Sequence, residues 1–461
     1  MYNRIILTIL CLPMLGQGCL AFNTPQTPQM PVLPEKLGAA PEISDLRITA
    51  TLLELVKDSQ ARALVAEALE NNPDLSATAL RLESSGLLLS QTATAILPKV
   101  NAGYGGTRNN QPPGREAIAS HKVFLSLSWE LDIWGKLADR HAAREQGFKA
   151  QQQTYYRAMD SLAARVLQTW FRVKANKMRL DIHEKRVNIY RHIETTIMAR
   201  YTAGLGNLQD ILSARSKANM ARSNHTRAKE VFQASVRELE LILGRYPATC
   251  LDVKGSLPEV ALSRAQAPAT ILANRPDVRA ALKKAQSAMG EAKAGHKELL
   301  PAITLTGNLF RDNAAFGGLG SSENGWGMAG NFLFPLFNSG RIEDEAKAAD
   351  ARAKAAYKNL ASVVLQAMKE AENTFSKETH LKEQLVFLEK AMEDARLSST
   401  YYEARFKEGL ASIIELHTAR DQELDILSGI LDLKASRIQN RVDMALSLGT
   451  GVLERNENET I

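Results

Sequence analysis

Residues 123–131 read VFLSLSWEL. In an extended chain successive side chains point to opposite sides. Val123, Leu125, Leu127, Trp129 and Leu131 therefore share one face, and Phe124, Ser126, Ser128 and Glu130 share the other. ITLTGNLF (303–310) repeats the pattern, with Ile303, Leu305 and Leu309 opposed to Thr304, Thr306 and Asn308. VNAGYGGT (100–107) and WGMAGNFLF (326–334) alternate more weakly. Four strands are predicted, at about 99–108, 122–133, 302–310 and 326–337. Each is about 9–11 residues long, the length of a tilted strand crossing a bilayer. Trp129, Trp134 and Trp326 suit an interfacial aromatic girdle. Two soluble hairpins packed on helices fit the alternation equally well.

The N-terminus shifts that balance toward a membrane. Met1–Arg4 supply a positive start, and IILTILCLPML (5–15) is an apolar run too short to span a bilayer, as in a secretory leader. Two processing sites compete. Gly18-Cys19 resembles a lipoprotein site in which Cys19 becomes the acylated first residue, although Gly16 and Gln17 match such sites poorly. The other is cleavage after Ala21. The lipidated Cys19 is favoured, leaving 1–18 as signal peptide and anchoring the chain at a membrane surface. The three cysteines include no CxxC pair.

The rest of the chain is one unit written twice. Pro73 in NPDL returns as Pro276 in NRPDV, and Pro98 in ILPKV as Pro301 in LLPAI, both at an offset of 203. Gly135, Gly204 and Gly244 return as Gly340, Gly409 and Gly449 at an offset of 205. The two-residue shift lies between Pro98 and Gly135, a natural place for a loop to change length. The layout is an irregular N-terminal segment with the anchor (19–60), a first repeat (61–245), a linker (246–270), a second repeat (271–450) and a polar tail (451–461).

Each repeat holds a stretch of roughly 65 residues, Gly135 to Arg200 and Gly340 to Arg405, rich in helix formers and free of proline. A helix of that length runs roughly 100 Å. Both end alike: RYTAGLGNLQDIL (200–212) and RFKEGLASIIEL (405–416). A helix so long must turn back, and Gly204 and Gly409 accept the positive φ the turn needs. Asp210 and Glu415 follow the turns. Gathered around a narrow mouth, such acids would favour cations. As an acid in a first helical turn Asp210 is equally explained by the helix dipole; Glu415 has the same alternative, but its repetition around the mouth favours pore lining.

Four strands cannot close a barrel, and an open sheet edge is not tolerated in lipid. Two chains would supply eight strands and three would supply twelve. A polar inner face and a useful lumen favour twelve.

The motifs NPDLSATALRLE, SWELDIWGKL, NRPDVRAAL, LLPAITLTG, FPLFNSGRI and the two tip sequences, taken in order, resemble the TolC-type outer-membrane efflux channels, in particular their NodT-like lipoprotein branch. The resemblance spans about 60–450. It implies a mainly α chain with a transmembrane β-barrel. Four strands per chain would form a twelve-stranded barrel in a homotrimer, continued by a long periplasmic α-helical barrel. It implies an outer-membrane exit duct, extending into the periplasm, for small toxic compounds. These would be delivered by an inner-membrane pump of the resistance-nodulation-division type through a periplasmic adaptor. By the same resemblance Glu415 and Asp210 belong to the pore gate, and Thr418 stands where relatives carry a second acid. The mouth would then hold one acidic ring rather than two. Asp210 would help latch the closed state, but the latch's basic partner falls at Ala411. Gly204, Leu205, Gly409 and Leu410 would meet the adaptor.

Other functions fit less. The eight histidines include no HExxH, and there is no GxSxG, P-loop or dinucleotide fingerprint, so neither an enzyme nor a cofactor is expected. Twelve methionines and scattered histidines support no metal relay. A net charge of +6 with interspersed signs describes solvated helix faces, not a nucleic-acid surface. A type I protein-secretion duct is the alternative channel. A periplasmic coiled-coil lipoprotein would leave the strands and the duplication unexplained.

Overall fold

The computed structural model describes residues 51–109, 118–253, 255–258, 260, 268–321 and 323–452, together with Gly38. The acylation residue predicted at Cys19 lies outside them. The helices are α1 (Ser59–Asn71), α2 (Pro73–Thr94), α3 (Lys136–Thr202), α4 (Leu208–Ile242), α5 (Pro268–Asn274), α6 (Pro276–Lys297), α7 (Arg341–Lys407) and α8 (Ile413–Ser447). The strands are β1 (Lys99–Asn109), β2 (Ile118–Leu131), β3 (Ala302–Asn313) and β4 (Gly325–Leu333). Duplication is visible in the lengths: α3 and α7 have 67 residues each, α4 and α8 have 35, α2 and α6 have 22. Contacts divide the chain into two units. One takes in Ser84–Ala150 and Ala281–Leu360; the other takes in Gln151–Ala280, Ala361–Ile461 and the segment ending at Glu83.

The first unit holds one antiparallel sheet in the order β1-β2-β3-β4. Its central pair, β2 and β3, joins the two repeats. The sheet's largest departures from the expected bounds are at the start of β2 and the end of β4; β3 also runs on to Asn313 rather than about 310, and β2 ends at Leu131 rather than about 133. β2 begins at Ile118 rather than near 122, because Ser120 and His121 pair with Thr107 and Gly106 of β1 despite their polar character. β4 stops at Leu333 rather than running to 337, since Pro335 has no N–H to give a ladder. At the other end of the sheet Asp132 accepts the N–H groups of Leu137 (2.9 Å) and Ala138 (2.8 Å), capping the start of α3.

The second unit is helical, with its core around the fully buried Trp170, Phe171 and Leu167 of α3, packed on Leu239 and Leu243, Val442 and Ala445, and a 3₁₀ turn at Leu52–Leu55. The end of the segment expected to be irregular is thus part of the core. Asp58 explains why. Its carboxylate caps α1 through Gln60 N (3.0 Å) and Ala61 N (3.2 Å), and accepts from Trp170 Nε1 (3.0 Å) and Lys174 Nζ (2.9 Å). Burial alone would raise its pKa. The bonds from Lys174 and Trp170 outweigh that and hold it below the usual carboxylate range.

The proline motifs are hinges between helix ends. Asn72 accepts from Leu75 N (3.0 Å) and donates to Ile242 O (2.8 Å), closing the first turn of α2 onto the last turn of α4. In the second copy Arg275 does the corresponding work. Its guanidinium reaches Ser447 O (3.2 Å), Asp277 (2.6 Å) and Glu370 (2.7 Å) while only 1% exposed. The charge of NRPDV is thereby satisfied inside the fold.

Candidate functional site: a two-faced sheet and two helical tips

Register turns the alternation of single strands into faces. Directly opposed residues share a face, so Leu131, Ile303 and Phe332 form one row, and Trp129, Leu305 and Gly330 the next. Val100, Leu127, Gly307 and Met328 follow, then Ala102, Leu125, Leu309 and Trp326. No charged residue interrupts these four rows. Val100, Leu125, Leu309, Met328 and Phe332 are exposed in the single chain. The opposite face carries Lys99, Asn101, Ser126, Ser128, Glu130, Thr304, Thr306, Asn308 and Asn331. It also holds Phe124 and Phe310, each lying over a glycine of the neighbouring strand, Gly103 and Gly325, where a Cβ would overlap the ring. The outer edges of β1 and β4 have no strand partner among the described residues.

The three predicted tryptophans fall at two levels. Trp129 and Trp134 stand at the helix side and donate to Ile96 O (2.9 Å) and Pro301 O (2.6 Å). Trp326 stands toward the loop side and is 75% exposed. Among the described residues no helix is long and apolar enough to cross a membrane.

The tips belong to the second unit. Gly204 (φ +75°) and Gly409 (φ +78°) end α3 and α7 with the same pair of bonds. Gly204 N donates to Tyr201 O (2.9 Å) and Leu205 N to Arg200 O (2.8 Å); Gly409 N donates to Phe406 O (3.1 Å) and Leu410 N to Arg405 O (2.8 Å). This is the Schellman arrangement. Among the described residues no atom outside the immediate chain neighbours lies within 4 Å of where a Cβ would stand at either glycine, so backbone conformation is what demands glycine there. Leu205 and Leu410 are 72% and 62% exposed.

The return helices begin differently. Asn207 caps α4 by accepting from Asp210 N (2.8 Å). Ser412 and Glu415 form a reciprocal capping box on α8, with Ser412 N donating to Glu415 Oε2 (2.7 Å) and Glu415 N donating to Ser412 Oγ (3.3 Å). The Ser412 bonds hold the Glu415 carboxyl below its ordinary pKa. The Thr418 hydroxyl donates to Ile414 O (2.8 Å) of its own helix. Asp210 and Glu415 thus sit at equivalent first-turn positions, and in this chain Glu415 spends its carboxylate on the cap.

Within the chain the two tips pack together. Ile193 and Ile197 of α3, Ile211 and Ala214 of α4, Phe406 of α7 and Ile413 and Leu416 of α8 form one apolar cluster, joined by Ala411. Above it the hairpins are tied by Lys217–Asp421 (3.1 Å), Arg186–Asp425 (2.6 Å) and Arg179–Asp432. None of these ion pairs was expected from the sequence. Their signal was the spacing of Asp421, Asp425 and Asp432, which puts three acids on one stripe of α8. His417, 3% exposed, packs its ring 4.9 Å from that of Tyr190. Neither ring nitrogen has a hydrogen-bond partner among the described residues. Burial, aided by Lys217 and opposed by Asp421, pushes its pKa down to about 4. Among the described residues no group of three or more His, Cys, Asp or Glu is placed to hold a metal ion.

A duplicated pair of helical hairpins and a four-stranded sheet with one apolar and one polar face are features of a class of outer-membrane channels. The family model described as outer membrane efflux protein matches residues 64–245 and again 267–450, and the chain belongs to that family. The probable outer membrane lipoprotein SilC of Salmonella typhimurium is 26% identical over 404 residues, covering 86% of this chain and 87% of that protein. The toluene efflux pump outer membrane protein TtgF of Pseudomonas putida is 30% identical over 295 residues, 62% of this chain and 61% of that protein. The crystal structure of the Campylobacter jejuni CmeC outer membrane channel matches with a TM-score of 0.85 at 21% identity, over 94% of this chain and 96% of that one.

Proposed function

We propose that three copies of this chain close a twelve-stranded barrel in the outer membrane. The assembly would serve as the passive exit duct of a tripartite efflux system for small toxic compounds. The observation that carries this reading is the four-stranded sheet with a face apolar over four rows, a Ser/Thr/Asn-lined reverse and two edges without a strand partner among the described residues. Such a sheet is stable in lipid only when other copies complete the ring, and the completed ring encloses a polar lumen. The tips at Gly204-Leu205 and Gly409-Leu410, with exposed leucines beside rigid turns, are the surfaces for a periplasmic adaptor. Behind it stands an inner-membrane pump of the resistance-nodulation-division type. Asp210, Glu415 and Thr418 line the periplasmic mouth. Acylated Cys19 tethers the mature N-terminus, in keeping with the lipoprotein named among the relatives. The duct performs no chemistry of its own.

The mass of the detergent-extracted particle tests the assembly, and ion current after reconstitution tests the lumen. A particle of three chains that conducts supports the reading. A water-soluble monomer without conductance overturns it.

A further inference from the structure

The apolar face does not end alike at its two rims. At the helix-side rim the face closes with Leu131, Ile303 and Phe332, flanked by Trp134. At the loop-side rim it changes character within one row. Arg311 stands opposite Val123, which stands opposite Tyr104; His121 follows one row on, and Arg108 beyond it. Arg108 and Arg311 are both exposed. Arg311 Nε donates to Asn324 Oδ1 (2.6 Å), which holds the guanidinium at the rim. His121 Nδ1 lies 2.6 Å from Tyr104 Oη, and Phe316 packs edge-on against both rings. No carboxylate shares these rows among the described residues. Asp312 is on the opposite face and Glu323 lies in the connection before β4.

We propose that this rim is a binding site for the phosphate groups of phosphorylated lipid in the outer leaflet. The inference rests on reading the sheet as a barrel wall with its β1–β2 and β3–β4 connections outside the cell. Height along the wall follows from strand geometry. Rows are about 6.8 Å apart along a strand and, at a tilt near 40°, about 5 Å apart along the membrane normal. Cationic side chains therefore begin about 5 Å above the last wholly apolar row, where acyl chains give way to headgroups. A free anion would need only the charges. A lipid phosphate also places its chains against Leu125, Leu309 and Trp326 directly below, which is why the lipid is the occupant. The aromatic cluster gives the rim a rigid floor, and two guanidinium groups, on β1 and β3 either side of β2 and two rows apart along it, suit a headgroup carrying more than one phosphate.

The test uses the full-length protein purified in detergent and titrated in native mass spectrometry with bisphosphorylated, monophosphorylated and phosphate-free lipid A. Affinity is expected to fall with each phosphate removed. The double variant Arg108→Gln/Arg311→Gln is expected to bind the bisphosphorylated lipid about thirtyfold more weakly, at about fivefold per membrane-facing cation. Lys122→Gln, a cation on the opposite face, should leave binding unchanged. Equal affinity for the phosphate-free lipid overturns the proposal, as does displacement of the lipid by millimolar inorganic phosphate. If the double variant does not assemble, the lipid series on the unaltered protein decides. Conductance measured on the same preparation separates the two readings. Absent current sinks the channel, whereas current with phosphate-independent lipid binding sinks only the lipid site.

Discussion

The tip glycines allow a prediction with two levels of cost. Gly204 and Gly409 hold φ of +75° and +78° with open space around the position of a Cβ. Gly244 and Gly449 close α4 and α8 with the same Schellman bonds at φ of +77° and +81°, but a Cβ on Gly244 would stand 2.4 Å from Asn71 O. Alanine at Gly204 or Gly409 therefore bears only the left-handed backbone penalty, about 1–2 kcal/mol. Alanine at Gly244 bears the same penalty plus an overlap with backbone that must move. A local penalty of about 1–2 kcal/mol raises the population of the opened turn about 5- to 30-fold. Hydrogen exchange reads this directly. In Gly204→Ala the Leu205 amide, bonded to Arg200 O, should lose protection by that factor, and in Gly409→Ala the Leu410 amide likewise. The core amides around Trp170 should keep theirs. Gly244→Ala should lower the melting temperature of the whole helical unit. If Gly204→Ala left Leu205 protected, or if Gly244→Ala proved as mild as Gly204→Ala, the assignment of these costs to backbone and to overlap would be wrong. If the tips dock an adaptor, Gly204→Ala/Gly409→Ala should also reduce pump-dependent resistance while detergent-stable assembly persists.

Leu127→Lys, in the middle of the apolar face, should destabilise the inserted protein by about 2–4 kcal/mol in lipid refolding titrations, while Ser126→Lys on the polar face should stay within about 1 kcal/mol. Glu415→Gln retains a side chain able to complete the capping box but removes its charge. Helix content should hold while cation preference in planar bilayers declines, and unchanged selectivity would remove Glu415 from the mouth. His417 is held neutral by burial, with a folded pKa of about 4 against an ordinary 6.5. Its contribution is complete above pH 6.5 and is lost as pH falls toward 4, a span worth about 3 kcal/mol. His417→Leu should flatten the dependence of melting temperature on pH in that window, and an unchanged slope would show that other groups set it.

What was legible in the chain was what is local. VFLSLSWEL declares its two faces because strand alternation needs no partner. The Gly-Leu turns declare themselves because left-handed backbone selects glycine wherever the helix ends. The start of β2 at Ile118 was hidden, since Ser120 and His121 are strand only by virtue of β1 and β3 beside them. Asp58 carried no sequence signal of its role, because its partners Trp170 and Lys174 lie more than a hundred residues away. Glu415 was read for its charge, and the capping box shows that the same carboxylate also starts a helix. The rim cluster was invisible for a further reason. Arg108, His121 and Arg311 come from three strands, and only register puts them on one side.

The open edges of β1 and β4 bear on inheritance as well as on architecture. If the proposed ring of three closes edge to edge, it has no intact fragment, so one copy with a spoiled edge disables its two sound neighbours. A cell expressing equal amounts of sound and spoiled chains would assemble only about one wholly sound ring in eight. Edge lesions such as a proline within β1 should accordingly behave as dominant, whereas a null allele that makes no chain should not.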